Sequence, residues 1–474
     1  MMPRPPDPAD PSGLFRRISR SIFPGPPQDA KDERGSRQGE HGSRRWFNTL
    51  ILHFRPRRVP ERTLRFSLSW GLGGMAFVLV LLATGTGILL KFSYEPSPAS
   101  AYESVVRLQH ALPYGGWLRS LHHWSANLLV VVAFLHFLRV FFTGAFHPPR
   151  QFNWIIGLGL FLALLLSNFT GYLLPWDQLA FWAVTISTGM LEYVPAIGAG
   201  LKRLVQGGPE IGPATLSNFY AIHTAVLPAA LLILLPFHFW RVRKAGGLVV
   251  PRAPSGAPET QGPGPSVPSI PDLILREGVV ALVLVAFLLV FSILVEAPLG
   301  SGANPGLSPN PTKAPWYFMG IQETLMHFHP LFALFFIPVL TVLALVALPY
   351  VRYPCDTAGV WFASTAGRRM AGAALVAALV ATPLGILADE YLVDPASVLP
   401  GLPAAVTGGL LPFGLVLAGM AGFCTLMGRK FSRGKNELIQ MLFVLFAGAF
   451  LVFTLTGIFF RGEGMRLAWP WQVP

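Results

Sequence analysis

The sequence predicts an all-α integral membrane protein of about nine transmembrane helices. Three observations predict it. Hydrophobic residues make up 52% of the chain and charged residues only 12%, where a soluble domain carries about 25% charge. The apolar residues gather in runs of about 20, the length at which a helix crosses a bilayer. The basic residues behind the net charge of +13 lie in the N-terminal segment and in short gaps between the runs, following the positive-inside rule. That distribution is no nucleic-acid footprint, and no nucleic-acid partner is expected.

The elements follow in order. Residues 1–62 are rich in Pro, Arg and Ser and hold no apolar stretch of useful length. They read as a basic, disordered cytoplasmic tail and not as a signal peptide. Nine apolar runs come next, near 66–92, 120–141, 153–174, 217–240, 275–296, 330–350, 370–388, 404–427 and 437–460. Residues 243–274, with GAPETQGPGPSVPSIP at their centre, form a Pro/Gly-rich linker without periodicity. The linker separates a four-helix N-terminal domain, 63–242, from a five-helix C-terminal part. That part divides into 275–388, with three spans and one long loop, and 389–474, with two more spans and a tail.

Orientation comes from the gaps. Arg139 and Arg150, Arg241, Arg243 and Lys244, Arg368 and Arg369, and the group Arg429, Lys430, Arg433 and Lys435 fall on one side. Glu95, Glu103, Asp177, Glu192, Asp389, Glu390 and Asp394 fall on the other. The basic side is cytoplasmic, so the N-terminus is inside and, after an odd number of spans, the C-terminus is on the outer side of a bacterial-type inner membrane. The two cysteines, Cys355 and Cys424, stand in no Cys-x-x-Cys-His motif, so covalent c-type haem is not expected.

Four of the eleven histidines lie within apolar spans as two pairs. His122 and His136 are 14 apart on the second span, and His223 and His238 are 15 apart on the fourth. At about 100° per residue, both intervals return to roughly the same helix face, about 21 to 23 Å along the axis. Both spans begin on the outer side and run parallel. His122 and His223 then share one depth, His136 and His238 another. Each pair can hold a haem iron through both axial positions, which makes the N-terminal domain a di-haem four-helix bundle. His123 lies next to His122, but only His122 keeps the 14-residue interval. Gly73 and Gly87 on the first span, and Gly157 and Gly171 on the third, repeat that interval. Glycine lets a backbone lie against a broad, flat group, so these four are cofactor-contacting candidates. Arg119 and Arg139 lie three residues outside the two ends of the His122–His136 pair. They are placed either to neutralise haem propionates or to anchor the helix ends.

GWLRSLHHWSANLLVVVAFLHFLRVFFTGAF, NFTGYLLPWDQLAFWAV and FYAIHTAVLPAALLILLPFHFWRVRKAG resemble the cytochrome b of the cytochrome bc complexes. The resemblance covers about residues 65–350. The 15-residue His223–His238 interval and the PWDQ sequence at Pro175–Gln178 are closer to the chloroplast type, whose two halves are separate polypeptides; here one chain joins them.

The resemblance implies oxidation of a quinol at the outer face. One electron goes to a Rieske iron–sulfur protein, and the other crosses through two non-covalent b haems to a quinone at the inner face. It implies iron ligation by His122, His223, His136 and His238, and propionate contacts from Arg119 and Arg139. It places the inner quinone site near His238 and Arg243, and it allows a homodimer.

Two departures stand out. Gly71, in WGLGG, occupies the position where the chloroplast type tethers an extra haem through a cysteine, so no such haem is expected. The loop after the fifth span usually reads Pro-Glu-Trp-Tyr, its glutamate accepting a quinol proton. Here KAPWYF puts Pro315 at the glutamate's position, before Trp316 and Tyr317. Glu323, in GIQETLMHFHP, and Glu296, at the end of the fifth span, are the candidate replacements. The alternative for Glu323 is an exposed residue at a helix start.

The expected function is thus the di-haem subunit of a quinol:cytochrome c reductase-like complex. One alternative is a non-bifurcating quinol-oxidising anchor feeding a multihaem cytochrome c. Another is a haem-free transporter or structural subunit whose histidines relay protons. Aromatic residues in the tail FFRGEGMRLAWPWQVP suit contact with membrane lipid.

Overall fold

Long runs of Leu, Val, Ala and Phe satisfy their backbone hydrogen bonds internally only as helices, and helices dominate the chain. The structure is a computed structural model that describes residues 12–22, 55–252, 265–393, 399–431 and 434–473. Most of the expected tail, the middle of the linker, Asp394 and Arg433 lie outside the described residues.

Among the described residues, nine helices are long and apolar enough to cross a membrane. In chain order the helices are α1 Ser12–Ile22, α2 Leu72–Leu90, α3 Ala101–His110, α4 Gly115–Phe142, α5 Gln151–Leu173, α6 Gln178–Gly189, α7 Gly198–Gln206 and α8 Pro213–Lys244. They continue with α9 Ser269–Leu294, α10 Met319–His327, α11 Phe332–Tyr350, α12 Thr365–Tyr391, α13 Val406–Lys430 and α14 Lys435–Phe459. The spans are α2, α4, α5, α8, α9, α11, α12, α13 and α14.

The N-terminal core is the facing surfaces of α2, α4, α5, α8 and α9, where Leu79, Leu121, Leu129, Leu160 and Leu288 are buried together. A second core under α6 and α8 joins Leu173, Trp176, Val184, Leu216 and Phe219. Two further cores bring α4 to the C-terminal helices. Phe141 packs on Phe443 with ring centres 4.0 Å apart, and Met370, Ala374 and Met441 join α12 to α14.

Two boundaries differ from the sequence reading. The segment 1–62 is not wholly without structure. Helix α1 packs on α5, and buried Arg241 of α8 donates from Nη1 to the Ile22 carbonyl at 3.0 Å and from Nη2 to the Ser21 carbonyl. A helix C-terminus leaves its last carbonyls unpaired, and a guanidinium in a span end supplies their donors. The linker is also shorter than 243–274. α8 runs on to Lys244, and Ser266–Pro268 forms β2, antiparallel to β1, Arg58–Pro60, with Arg58 opposite Pro268. α9 begins directly after it.

The span α9 opens on a π-helical turn, Ser269–Leu273, and three other spans carry a five-residue π-helical turn before a proline: Ile222–Val226, Phe332–Phe336 and Val406–Leu410. Each is followed by a Leu-Pro or Ile-Pro pair, at Pro228, Pro338 and Pro412. Proline has no N–H for the bond to the fourth residue back, and the chain takes up the gap by widening one turn.

Candidate functional site

His223 lies inside the π-helical turn of α8. One such turn absorbs about one residue beyond the regular helix. The 15-residue interval on α8 therefore keeps the phase of the 14-residue interval on α4, and the two helices present histidines at matching levels.

The rings of His122 and His223 face each other with centres 6.2 Å apart and planes at 79°. Those of His136 and His238 are 6.5 Å apart at 81°. Two imidazole–metal bonds of about 2 Å in line, with each nitrogen about 1 Å off its ring centre, put ring centres roughly 6 Å apart. Both pairs fit one metal-centred group between them.

Nδ1 of His122 donates to the Ala83 carbonyl at 3.1 Å, and Nδ1 of His223 to the Ser167 carbonyl at 2.9 Å. A carbonyl only accepts, so the proton sits on Nδ1 and Nε2 keeps a free lone pair, the state a metal ligand requires. Thr86 Oγ1 lies 3.0 Å from His122 Nδ1 and Thr170 Oγ1 3.4 Å from His223 Nδ1. The first and third spans thus repeat one device: an accepting carbonyl, then a threonine, then Gly87 or Gly171. The Thr-Gly pairs stand in the sequence, but nothing local connects them to histidines on other helices.

The four glycines contact the histidine rings. A Cβ on Gly87 would lie 3.1 Å from His122 Cε1, on Gly73 3.2 Å from His136 Cε1, on Gly171 2.6 Å from His223 Cε1, and on Gly157 3.7 Å from His238 Cε1. The sequence reading sets these glycines against a broad, flat group; in the structure each lies against an imidazole ring, one glycine per histidine. At the second level the Asn153 carbonyl, four residues before Gly157, approaches His238 without closing a hydrogen bond to Nδ1.

A cavity of about 1200 Å³ opens beside the His122–His223 pair. Such a volume is larger than an ordinary small-molecule pocket. Gly87, Gly171, Arg119, His123, Tyr172 and Asp177 line it, and Lys313 to Tyr317 close its far wall. Trp316 Nε1 donates to Asn127 Oδ1 of α4 at 2.7 Å. Burial, with Tyr172 beside it, pushes the Tyr317 hydroxyl well above its ordinary value, so it stays protonated. Arg119 of α4 is a buried residue of the cavity lining. It donates to the Ala297 and Pro298 carbonyls at 2.8 and 2.6 Å and to Gln109 Oε1 at 2.8 Å. Arg139 is buried beside the second pair. Arg243 lies in the last turn of α8, at the same end.

The two expected proton acceptors stand elsewhere. Glu296 accepts from Gln109 Nε2 at 2.7 Å and lines a separate surface cleft. Glu323 is fully buried, not exposed at a helix start, and it does not line the large cavity. It is paired with Arg461, which approaches Oε1 at 2.7 Å. Among the described residues the one carboxylate that lines the cavity is Asp177, its oxygens accepting the N–H groups of Ala180 and Gly300 at 2.9 and 3.0 Å. The PWDQ motif held that residue, but its place in the cavity wall depends on pairing with the distant segment 300–304.

Fold and site together define a multi-pass membrane protein built around two stacked pairs of intramembrane histidines. The family model for cytochrome b/b6/petB matches residues 61–246. The chain is 45% identical over 175 residues to the menaquinol:cytochrome c reductase cytochrome b subunit of Geobacillus thermodenitrificans, covering 37% of this chain and 78% of that protein. It is 40% identical over 188 residues to cytochrome b6 of Heliomicrobium gestii, 40% of this chain and 87% of that one. The match to the cytochrome bc complex cytochrome b subunit of Chlorobaculum thiosulfatiphilum is 32% identical over 329 residues, 67% of this chain and 73% of that one. A solved chain titled hyperthermophilic respiratory Complex III shares the fold, with a TM-score of 0.61 at 23% identity, covering 86% of this chain and 97% of that one. The chain belongs to the cytochrome b family, with the two halves in one polypeptide. Membership implies b-type haem and a role in electron transport within a larger complex.

Proposed function

We propose that the chain is the di-haem cytochrome b subunit of a quinol:cytochrome c reductase-like complex, with the His122 level towards the outer face and the N-terminus cytoplasmic. The observation that carries the reading is the two pairs of facing imidazoles, at 6.2 and 6.5 Å, each with a gap fitted to one iron. When bound, each haem carries one electron at a time.

This chain's residues do the rest. His122, His223, His136 and His238 present Nε2 from two parallel spans. Arg119 at one level and Arg139 at the other supply positive charge for propionates. The cavity binds the quinol ring between the Trp316–Tyr317 wall and α4, and its Tyr317 hydroxyl donates a hydrogen bond to a quinol oxygen. Asp177, held by two backbone N–H groups, is the only carboxylate of the cavity lining among the described residues and can take a proton on its remaining lone pairs. Arg243 and its neighbours face the quinone at the opposite end. The partners on this reading are a Rieske protein and a cytochrome c subunit.

His136→Ala tests it. The purified variant retains one of the two b-type components in reduced-minus-oxidised spectra, and its pyridine haemochrome falls from two haems per chain to one. Retention of both components overturns the ligand assignment. Absence of any haem in the unmodified protein returns the histidines to proton relay.

A specific observation favours a second reading, the non-bifurcating anchor. Pro315 stands in the cavity wall in place of a carboxylate, with Glu296 and Glu323 both off the lining. Subunits co-purifying with the chain discriminate: a Rieske protein supports bifurcation, and a multihaem cytochrome alone supports the anchor.

A further inference from the structure

The cavity wall from Pro309 to Tyr317 is an irregular segment, with few bonds of its own, and it is tied to the last span and its tail. Lys313 Nζ donates to the Ile458 carbonyl at 3.1 Å. The Gly464 N–H donates to Asn310 Oδ1 at 2.5 Å. Just after Tyr317 the chain enters α10, whose Gln322 donates to the Thr312 carbonyl and accepts from the Ala314 N–H, at 2.8 and 2.7 Å. α10 therefore carries the wall with it.

α10 itself is held by Arg461. Nε lies 3.1 and 3.0 Å from the two oxygens of Glu323, and Nη2 2.7 Å from Oε1. Nη1 reaches both oxygens of Glu390, at the end of α12, and the Met465 carbonyl at 2.8 Å. The Arg461 and Glu323 side chains are 0% exposed. α10 also meets α14 at backbone range: a Cβ on Gly320 would lie 2.6 Å from Thr454 Oγ1 and 2.7 Å from the Phe450 ring. One guanidinium thus joins three parts of the chain, which a planar fork does and a single ammonium does not.

We propose that Arg461 is a positioning residue for the quinol. Acting through Glu323 and α10, with Lys313 and Asn310 as nearer ties, it fixes the wall that faces the histidines. The inference rests on the reading of the large cavity as the quinol site, and it assigns the last span a role in shaping that site. Displacement of a wall by about 1 Å costs on the order of a hundredfold in productive geometry.

The test is quinol oxidation by the intact complex in membranes, with a short-chain quinol as the probe. The unmodified protein, Arg461→Gln, Arg461→Lys and Asn310→Ala are compared. Arg461→Gln keeps both b-type spectral components while KM for the quinol rises about tenfold or more. Arg461→Lys recovers part of the loss, and Asn310→Ala shifts KM in the same direction by less. A purely structural role instead lowers haem-loaded protein and apparent kcat with KM unchanged. An unchanged KM in haem-replete Arg461→Gln overturns the proposal. Should that variant not assemble, an unchanged KM in Asn310→Ala and Lys313→Met together overturns it. Failure of quinol to reduce the haems of the unmodified protein removes the quinol reading, and the proposal with it.

Discussion

Gly171 and His223 are so close that a Cβ at the glycine would come 2.6 Å from the ring's Cε1, against 3.7 Å between Gly157 and His238. The first distance leaves no room for a methyl group, and the second is ordinary van der Waals contact. Gly171→Ala is expected to displace His223 and lose or shift the spectral component of the His122–His223 level. Gly157→Ala keeps both components. Redox-resolved difference spectra of the two variants check this, and equal effects from the two remove the glycine–ring contact as the reason for the repeat.

Trp316 reaches across the cavity to Asn127 on the span that carries His122. Trp316→Phe removes that hydrogen bond and keeps most of the aromatic surface. A neutral hydrogen bond contributes about 0.5–1.5 kcal/mol. The quinol KM should rise by roughly two- to tenfold, with the haem spectra unchanged. A KM equal to that of the unmodified complex takes the Trp316–Asn127 contact out of substrate binding.

The Glu323–Arg461 pair should matter more for stability than its distance from the cavity suggests. Removing one partner of a buried pair leaves the other charge uncompensated, at about 3–5 kcal/mol. Glu390 also touches Arg461, so Glu323→Gln belongs at the lower end of that range. Thermal unfolding in detergent is expected at a clearly lower midpoint, with slower quinol oxidation and both haems retained. Unchanged turnover removes Glu323 from quinol oxidation altogether.

The same cluster sets a pH window. Burial pushes the Glu323 carboxyl up, but hydrogen bonds and charge from His327 and Arg461 outweigh it and hold it below 4.5. Burial pushes His327 down, but hydrogen bonds and charge from Glu323 and Asp389 outweigh that and raise it above 6.5. Its Nδ1 lies 2.7 Å from Asp389 and its Nε2 3.2 Å from Glu323. The Glu323 contribution is present above about 4.5 and is lost as pH falls through the lowered value; the His327 contribution is present below about 6.5 and is lost as pH rises through the raised value. Docking of the tail on α10 should be firmest between the two. Unfolding midpoints against pH check this: His327→Gln should flatten the alkaline limb and, by removing one of the groups that hold the Glu323 carboxyl down, weaken the acid limb in part while Arg461 keeps the rest.

The spans were legible because a bilayer demands length and apolarity in one stretch of sequence. The histidine levels were legible because helical phase converts a 14-residue interval into a shared face. Other features had no local signal. α4 begins at Gly115, not near 120, because Arg119 is buried against the carbonyls of Ala297 and Pro298, over 170 residues away. The π-helical turn at His223 follows from Pro228, but the sequence alone does not say whether a proline will kink, end or widen a helix. Glu323 was legible as a carboxylate near the missing one. Its partner Arg461 lies 138 residues on, in a tail whose sequence carries no periodicity towards it.

The strand pair Arg58–Pro60 with Ser266–Pro268 brings the two halves together outside the spans. Arg55 bridges to Glu277 at 2.7 Å, and Arg252 donates to the Ala358 carbonyl at 2.6 Å. None of these contacts needs the peptide that connects residue 252 to residue 265. The covalent connection acts instead through effective concentration, keeping the two halves near each other whatever the dilution. Cutting it would leave the interface chemistry intact and turn a unimolecular assembly into a bimolecular one, governed by how much of each half the membrane holds.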